Sequence, residues 1–204
     1  DAPDYDYVVD SPILIGNLTK ATTKIETTSI DVYTYSKTNK ITSEQLLMLL
    51  EDMLAATSQF TQGLPVDRYT FLFHFENFSA GAWEHNFSSE YVYNEAPLEG
   101  PFAKEMKSVA AHEFYHVITP LNIHSELVGN FNFEKPTMSQ HIWLYEGVTE
   151  WASDILQLRD YLTSLDDFLA EIKTKLFLKP QKDYLCTTAA SKEAKRALSL
   201  PRLQ

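Results

Sequence analysis

The stretch VAAHEFYHV, residues 109–117, contains the pattern His-Glu-x-x-His in an apolar setting that predicts a buried helix. Because a helix turns about 100° per residue, His116 lies about 40° round from His112 and one turn further along. Glu113 falls in the same arc of the helix surface. Two neutral imidazoles placed in this way can bind one zinc ion, while the carboxylate takes a proton from a metal-activated water. The alternative is that three polar side chains merely line a helix face, but the apolar flanks disfavour it because buried histidines need partners.

Composition limits the classes of protein and of site. The chain has 204 residues, of which 44% are hydrophobic and 13% aromatic, so we expect a substantial core. A net charge of −11 disfavours nucleic acid or an anionic membrane surface as the main partner. Cys186 is the only cysteine, which excludes an internal disulfide and a cysteine zinc site. With no run of about 18 apolar residues, we expect no transmembrane segment. The start at Asp1, without a signal peptide, suggests a mature or excised piece.

Residues 1–100 predict a mixture of strands and helix. Alternation predicts a strand within residues 21–36, an aromatic strand at 68–75 and a short strand at Glu90 to Asn94, whereas residues 81–87 predict a loop. A helix is expected from an N-cap at Ser43, with a core stripe of Leu46, Leu49, Leu50, Met53, Leu54 and Phe60, up to Gly63 and Pro65. Residues 13–15, Ile-Leu-Ile, predict a short strand or an anchoring segment.

Residues 101–204 predict the helical part that carries the metal ligands. The motif helix should end near Thr119, because proline at 120 disfavours helix in the preceding residue. A long loop over 120–138 should lead, through a capping box at Thr137 and Gln140 or an N-cap at Ser139, into a helix over 139–163. Its predicted core stripe is Leu144, Val148, Trp151, Ile155, Leu158 and Leu162, with Glu146, Glu150, Asp154 and Gln157 on the other side. A helix capped by Ser164 and Asp167 follows, and residues 191–198 form a candidate further helix.

Glu146 is the candidate third metal ligand. His-Glu-x-x-His supplies two ligands, and a peptidase site needs a third, usually histidine or a carboxylate. Gly147 follows directly, and glycine inside a helix suggests close backbone packing. Glu150, one turn on, could accept a hydrogen bond from a ligand imidazole. The alternative for both carboxylates is the solvated face of an amphipathic helix.

Two motifs together resemble the glycyl aminopeptidase-like metallopeptidases, a family of gluzincins with a thermolysin-like catalytic fold. They are HEFYH at 112–116 and WLYEGVTE at 143–150; GAWEH at 81–85 resembles the family's Gly-x-x-Glu-His segment, and residues 5–12 resemble the start of its catalytic domain. Twenty-nine residues separate the second histidine from the third-ligand glutamate, more than in the thermolysin type.

The resemblance implies a role for each matching residue. His112, His116 and Glu146 would bind one zinc ion per chain, and Glu113 would be the general base. Glu84 would bind the substrate's terminal ammonium, with Gly81 and Ala82 letting the peptide approach a glycine-rich edge strand. An ordinary loop carboxylate is the alternative for Glu84. No residue matches the family's oxyanion-stabilising tyrosine or histidine, which leaves a position beyond Gln204 open.

We therefore expect an α+β, thermolysin-like catalytic domain, with a small sheet in residues 1–100 followed by a helical part in 101–204. The family's flanking β-rich and PDZ domains are absent from this sequence. The expected function is that of a zinc-dependent aminopeptidase acting on peptide or protein substrates. A zinc endopeptidase, or a non-catalytic peptide-binding module with a structural zinc, is the alternative. The resemblance alone suggests a secreted or periplasmic location, and the sequence does not predict the oligomeric state.

Overall fold

An alternating row of buried aromatic side chains forms the centre of the sheet. The computed structural model describes residues 5–77, 80–132 and 134–178. Strand β3 (Arg68–Glu76) fully buries one face of its alternating pattern, as predicted: Tyr69, Phe71, Phe73 and Phe75. Their rings stack along the strand and against Tyr91 of the neighbouring strand. This strand therefore fixes which face of the sheet the helices must cover.

The sheet has five strands among the described residues, in the order β1-β2-β3-β5-β4. The others are β1 (Thr19–Ile25), β2 (Thr28–Ser36), β4 (Gly81–His85) and β5 (Ser88–Asn94). Strands β2, β3 and β5 run parallel, and the hairpins β1-β2 and β4-β5 add an antiparallel strand at each edge. Together with the helices this makes a mixed α+β fold, as expected.

One strand prediction is incomplete and another is wrong. The strand predicted within 21–36 forms as β2, but residues 19–25 add a second strand that pairs with it, and the hairpin turns at Glu26 with a positive φ of 52°. Residues 81–87 are not a loop: 81–85 form the edge strand β4. Asp10 holds the tip of the β4-β5 hairpin, because its carboxylate accepts a hydrogen bond from the backbone N–H of Asn86 (2.9 Å) and lies 3.2 Å from Nδ1 of His85. A contact across 75 residues thus specifies a strand that local propensity does not predict.

The helices are α1 (Tyr5–Val9), α2 (Ser43–Thr61), α3 (Gly100–Tyr115), α4 (Glu126–Gly129), a π-helical turn (Trp143–Val148), α5 (Thr149–Arg159) and α6 (Leu165–Leu178). Helix α6 begins as predicted, with the Ser164 hydroxyl accepting from the N–H of Asp167 (3.1 Å). None of the helices in the described residues has the length and apolar character that crossing a bilayer requires.

Helix α2 packs through most of its predicted stripe. Leu46, Leu50 and Leu54 are fully buried, but Phe60 is 48% exposed and does not belong to the core. The N-cap is Thr42, not Ser43, and it forms a capping box with Gln45. The hydroxyl of Ser43 is buried instead between β1 and β2, where it bonds the carbonyl of Thr19 and the hydroxyl of Thr34. One helical position thus anchors the helix to the sheet rather than capping it.

The predicted core stripe of the helix after the loop is also wrong. Trp151 is 59% exposed and Val148 37%, whereas Tyr145, Thr149, Ser153, Leu156 and Gln157 are the buried side chains. Helix α5 packs on α3, so the carboxylate-bearing side of the helix faces inward. The π turn adds a residue to one turn, which shifts the register that a single 3.6-residue period assumes.

Several boundaries differ from expectation. Helix α3 ends at Tyr115, although His116 keeps right-handed helical angles (φ −61°, ψ −18°). The expected helix from 139 begins only at Trp143, and the Ser139 hydroxyl accepts from the N–H of His141. Ile13 and Ile15 are 83% and 85% exposed in a segment that forms no strand. Cys186 and the candidate helix at 191–198 lie outside the described residues.

Candidate metal centre

Three ligand atoms converge where α3 meets the π turn. The Nε2 atoms of His112 and His116 are 3.2 Å apart, and Oε2 of Glu146 lies 3.3 Å from the first and 3.6 Å from the second. A tetrahedral ion with ligands about 2.0–2.1 Å away would separate each pair of ligand atoms by about 3.4 Å. The triangle therefore has the size that a zinc ion needs, and all three residues come from the predicted set.

Hydrogen bonds at the opposite ring nitrogens orient both imidazoles. Nδ1 of His116 donates to the backbone carbonyl of Thr119 (2.9 Å), and Nδ1 of His112 lies 2.6 Å from Oε2 of Glu150. Each Nδ1–H is thereby engaged, so that Nε2 is the ring nitrogen that faces the triangle in both histidines. Glu150 thus lies where the sequence placed it, beside a candidate ligand.

Local structure explains how Glu146 reaches the histidines. It projects from the π turn, and the next turn is anchored by Thr149, which is fully buried and whose hydroxyl lies 3.4 Å from the Thr119 carbonyl. The hydroxyl of Tyr145 accepts from the backbone N–H of Ser125 (2.9 Å), which ties the preceding loop to this turn. The expected close packing at Gly147 is wrong, because a Cβ there would meet open space.

Glu113 and Glu84 face each other beside the triangle. Glu113 is only 8% exposed, and carboxylate oxygens of Glu113 and Glu84 lie within 4.8 Å of each other and of a ring nitrogen of His116. Burial, and next the charge of Glu84, raise the pKa of Glu113 to about 8, although the neighbouring His112 lowers it. The edge strand β4 thus delivers a second carboxylate to the predicted general base.

Alternation along β4 separates its residues. Glu84 and Ala82 share one face, and Ala82 packs against the core. Gly81 lies on the other face, where an added Cβ would come within 2.9 Å of the Trp83 indole. Packing of the indole against the backbone therefore explains why a residue without a Cβ occupies position 81.

The charged side chains of the cluster pair with one another. Burial lowers the pKa of His112, but the hydrogen bonds to Glu146 and Glu150 outweigh this and raise it to about 10. Burial raises the pKa of Glu150, yet its bonds to His112 and Lys175 bring it down to about 2. A proton on His112 thus occupies the place between carboxylates that a cation would take, which fits a donor set built for a metal ion.

Sequence reasoning missed Lys175 in α6. Its Nζ lies 2.6 Å from Oε1 of Glu150 and 2.6 Å from Oδ2 of Asp154. Glu150 and Asp154 lie one turn apart on α5, a spacing that marks one helix face. Nothing in the sequence indicates which lysine would reach them, because the contact depends on how α6 packs on α5.

Known proteins resemble this chain in sequence and in fold. The family model for M61 glycyl aminopeptidases matches residues 105–194, which include all three candidate ligands. An aminopeptidase N family protein from Idiomarina loihiensis has a similar structure, with a TM-score of 0.71 and 20% sequence identity over 82% of this chain. The match covers 30% of that protein's own length. No curated protein matches the chain. The family model thus matches the helices that carry the candidate ligands, and the structural match shows that the fold is shared.

Proposed function

We propose that this chain is the zinc-binding catalytic part of a thermolysin-like metallopeptidase. The observation that carries the proposal is the triangle of ligand atoms from His112, His116 and Glu146, whose edges of 3.2–3.6 Å suit tetrahedral coordination. A bound zinc ion would supply a water of lowered pKa and polarise the scissile carbonyl. The family match to M61 glycyl aminopeptidases supports peptide hydrolysis as the reaction.

Glu113 is the proposed general base. It is buried beside the triangle, with a carboxylate oxygen within 4.8 Å of a ring nitrogen of His116, so it lies within reach of a water bound there. It would take a proton from the attacking water and deliver it to the leaving amine. A purely structural zinc site has no use for such a group, which disfavours the non-catalytic module.

Glu84 is the proposed binding site for the substrate's terminal ammonium. Its carboxylate sits on the edge strand next to the base, so a peptide lying along β4 would present a free amine to it. Cleavage would then remove residues from the amino terminus. An endopeptidase is the alternative, and it would have no need of a cation-binding carboxylate at this point.

Metal content tests the zinc site. We would supply zinc, dialyse, and count zinc per chain in wild type, Glu146→Ala and the control Glu126→Ala, which removes an exposed carboxylate from α4. We expect about one zinc per chain in wild type and control, and much less in Glu146→Ala. A wild type that holds no zinc would overturn the proposal. Equal zinc in all three would instead make Glu150 the next candidate ligand.

Substrate choice tests the aminopeptidase assignment. Glu84→Gln should slow cleavage of peptides with a free amino terminus, and acetylated peptides should be poor substrates for wild type. If acetylated peptides are cleaved equally well and the variant loses nothing on free ones, the enzyme is an endopeptidase.

A further inference from the structure

Glu150 is held at both ends by charged partners. One oxygen, Oε2, lies 2.6 Å from Nδ1 of His112, and the other, Oε1, lies 2.6 Å from the ammonium of Lys175. Lys175 is held in turn by Asp154 at 2.6 Å and by Glu171, one turn back on its own helix, at 3.5 Å. An uninterrupted chain of contacts therefore runs from α6 through α5 to the candidate ligand on α3.

We infer that Lys175 is a positioning residue for metal binding, acting through Glu150 to fix the imidazole of His112. The inference rests on the proposed zinc site and extends it to α6, a helix that contributes no ligand. Lys175 touches neither the ligand triangle nor, by this inference, the substrate.

The physical reason lies in the freedom of the glutamate side chain. Glu150 is 41% exposed, so its carboxylate could turn toward water instead of toward the ring. An ammonium fixed on Oε1 leaves Oε2 directed at Nδ1, which keeps the His112 proton on Nδ1 and the lone pair on Nε2. Without that ammonium, part of the population would hold the imidazole in the wrong orientation, and the metal affinity would fall by that fraction.

Asp154 makes this arrangement compatible with a nearby cation. A lone ammonium close to the site would repel a divalent ion. Lys175 forms equally short contacts to Asp154, which is only 13% exposed, and to Glu150, so its charge is matched locally. It therefore acts as a clamp between two carboxylates rather than as a free positive charge.

A simpler reading is that Lys175 only ties α6 to α5. Lys104, on helix α3, provides the matched control. Its ammonium lies 3.5 Å from the carboxylate of Asp167 on α6, and it forms no ion pair with Glu150 or Asp154. Lys104→Met removes another, more exposed ion pair of α6, so an effect of loosening α6 in general should appear in this variant as well.

The test measures zinc affinity in the full chain by competition with a chromogenic chelator, for Lys175→Met, Glu150→Gln, the double variant and Lys104→Met. Removing a partner of a ligand histidine typically weakens metal binding about 10–100-fold, which we expect for Glu150→Gln. Lys175→Met should weaken binding about 3–10-fold, less than loss of the carboxylate itself. The double variant should bind no more weakly than Glu150→Gln, because Lys175 acts only through Glu150. Lys104→Met should stay within about twofold of wild type.

A second readout separates geometry from folding. The visible spectrum of the cobalt-substituted chain should change in Lys175→Met and recover in Lys175→Arg, whose guanidinium can hold both carboxylates. Circular dichroism of the metal-free variants would show whether the fold is retained. Unchanged zinc affinity in Lys175→Met would overturn the inference, as would a loss that adds in full to that of Glu150→Gln or that Lys104→Met shares. A wild type that binds no zinc would overturn the zinc site as well, so the two failures are distinguishable.

Discussion

Replacing Glu113 by glutamine tests whether the site holds an unfavourable buried charge. Burial and, next, the charge of Glu84 raise the pKa of Glu113 in the folded, metal-free chain from its ordinary value of 4.5 to about 8. Between these values the folded chain binds a proton that the unfolded chain has lost. The contribution of Glu113 to the free energy of unfolding should therefore be fully present below about pH 4.5 and fall as the pH rises through this window. At about 1.4 kcal/mol for each tenfold change in proton affinity, the loss between pH 5 and pH 7 amounts to about 2.5 kcal/mol.

Glu113→Gln keeps the shape of the side chain and carries no charge at any pH, so this slope should vanish in the variant. We would measure urea unfolding of both chains after removal of metal, at about pH 5 and pH 7. Relative to wild type, the variant should gain about 2 kcal/mol of stability between the two conditions. Zinc should reduce that gain, since a divalent cation favours the carboxylate. Stability curves that run parallel over this range would refute the reasoning.

Two further predictions concern stability away from the site. Burial raises the pKa of Asp31, but a hydrogen bond from Thr22 and two neighbouring cations outweigh burial, so the pKa lies below its ordinary value. Asp31→Asn should therefore lower the free energy of unfolding by about 1–2 kcal/mol at neutral pH. A pH series of urea titrations should show this difference shrink as the pH falls below about 4. Phe73→Ala should cost about 3–5 kcal/mol in the same assay, because the ring is fully buried and stacked, whereas Phe60→Ala, on an exposed ring, should cost less than about 1 kcal/mol. Similar losses from the two phenylalanine variants would contradict the core assignment.

The strongest sequence patterns predicted their structures because local and tertiary preferences agree there. The aromatic residues of β3 alternate along the strand, so they all lie on one face, and the sequence alone identifies that face as the buried one. The helix of the HEFYH motif could be placed for the same reason. Glu146 could be singled out only from the requirement for a third metal ligand, because the predicted helix offered several carboxylates at equivalent positions.

Elements specified by distant contacts could not be predicted. The edge strand β4 is short and begins with Gly81, and its hairpin is anchored by Asp10. The clamp on Glu150 depends on the packing of α6, which brings Lys175 across 25 positions of the sequence. Periodicity assumes that the apolar side of a helix is the buried one. Helix α5 violates that assumption because its inward face carries polar groups, among them Glu150, which contacts the candidate ligand His112, and Trp151 is left exposed.

If the proposed zinc site holds, protons and the metal ion compete for one cluster in this fold. In the metal-free chain, His112 keeps a proton up to about pH 10 and Glu113 up to about pH 8, so both are protonated at neutral pH. Zinc requires a neutral imidazole and favours an ionised base, so binding must release protons, and acid must weaken it. The carboxylates of Glu146 and Glu150 stabilise a positive charge at this point whether it comes from a proton or from the ion. Burial contributes most to the raised pKa of Glu113, and the smaller part that comes from the neighbouring carboxylates would be offset by a bound cation. Under the proposed function, such a site would give up some stability of the chain without metal in return for affinity toward the metal ion.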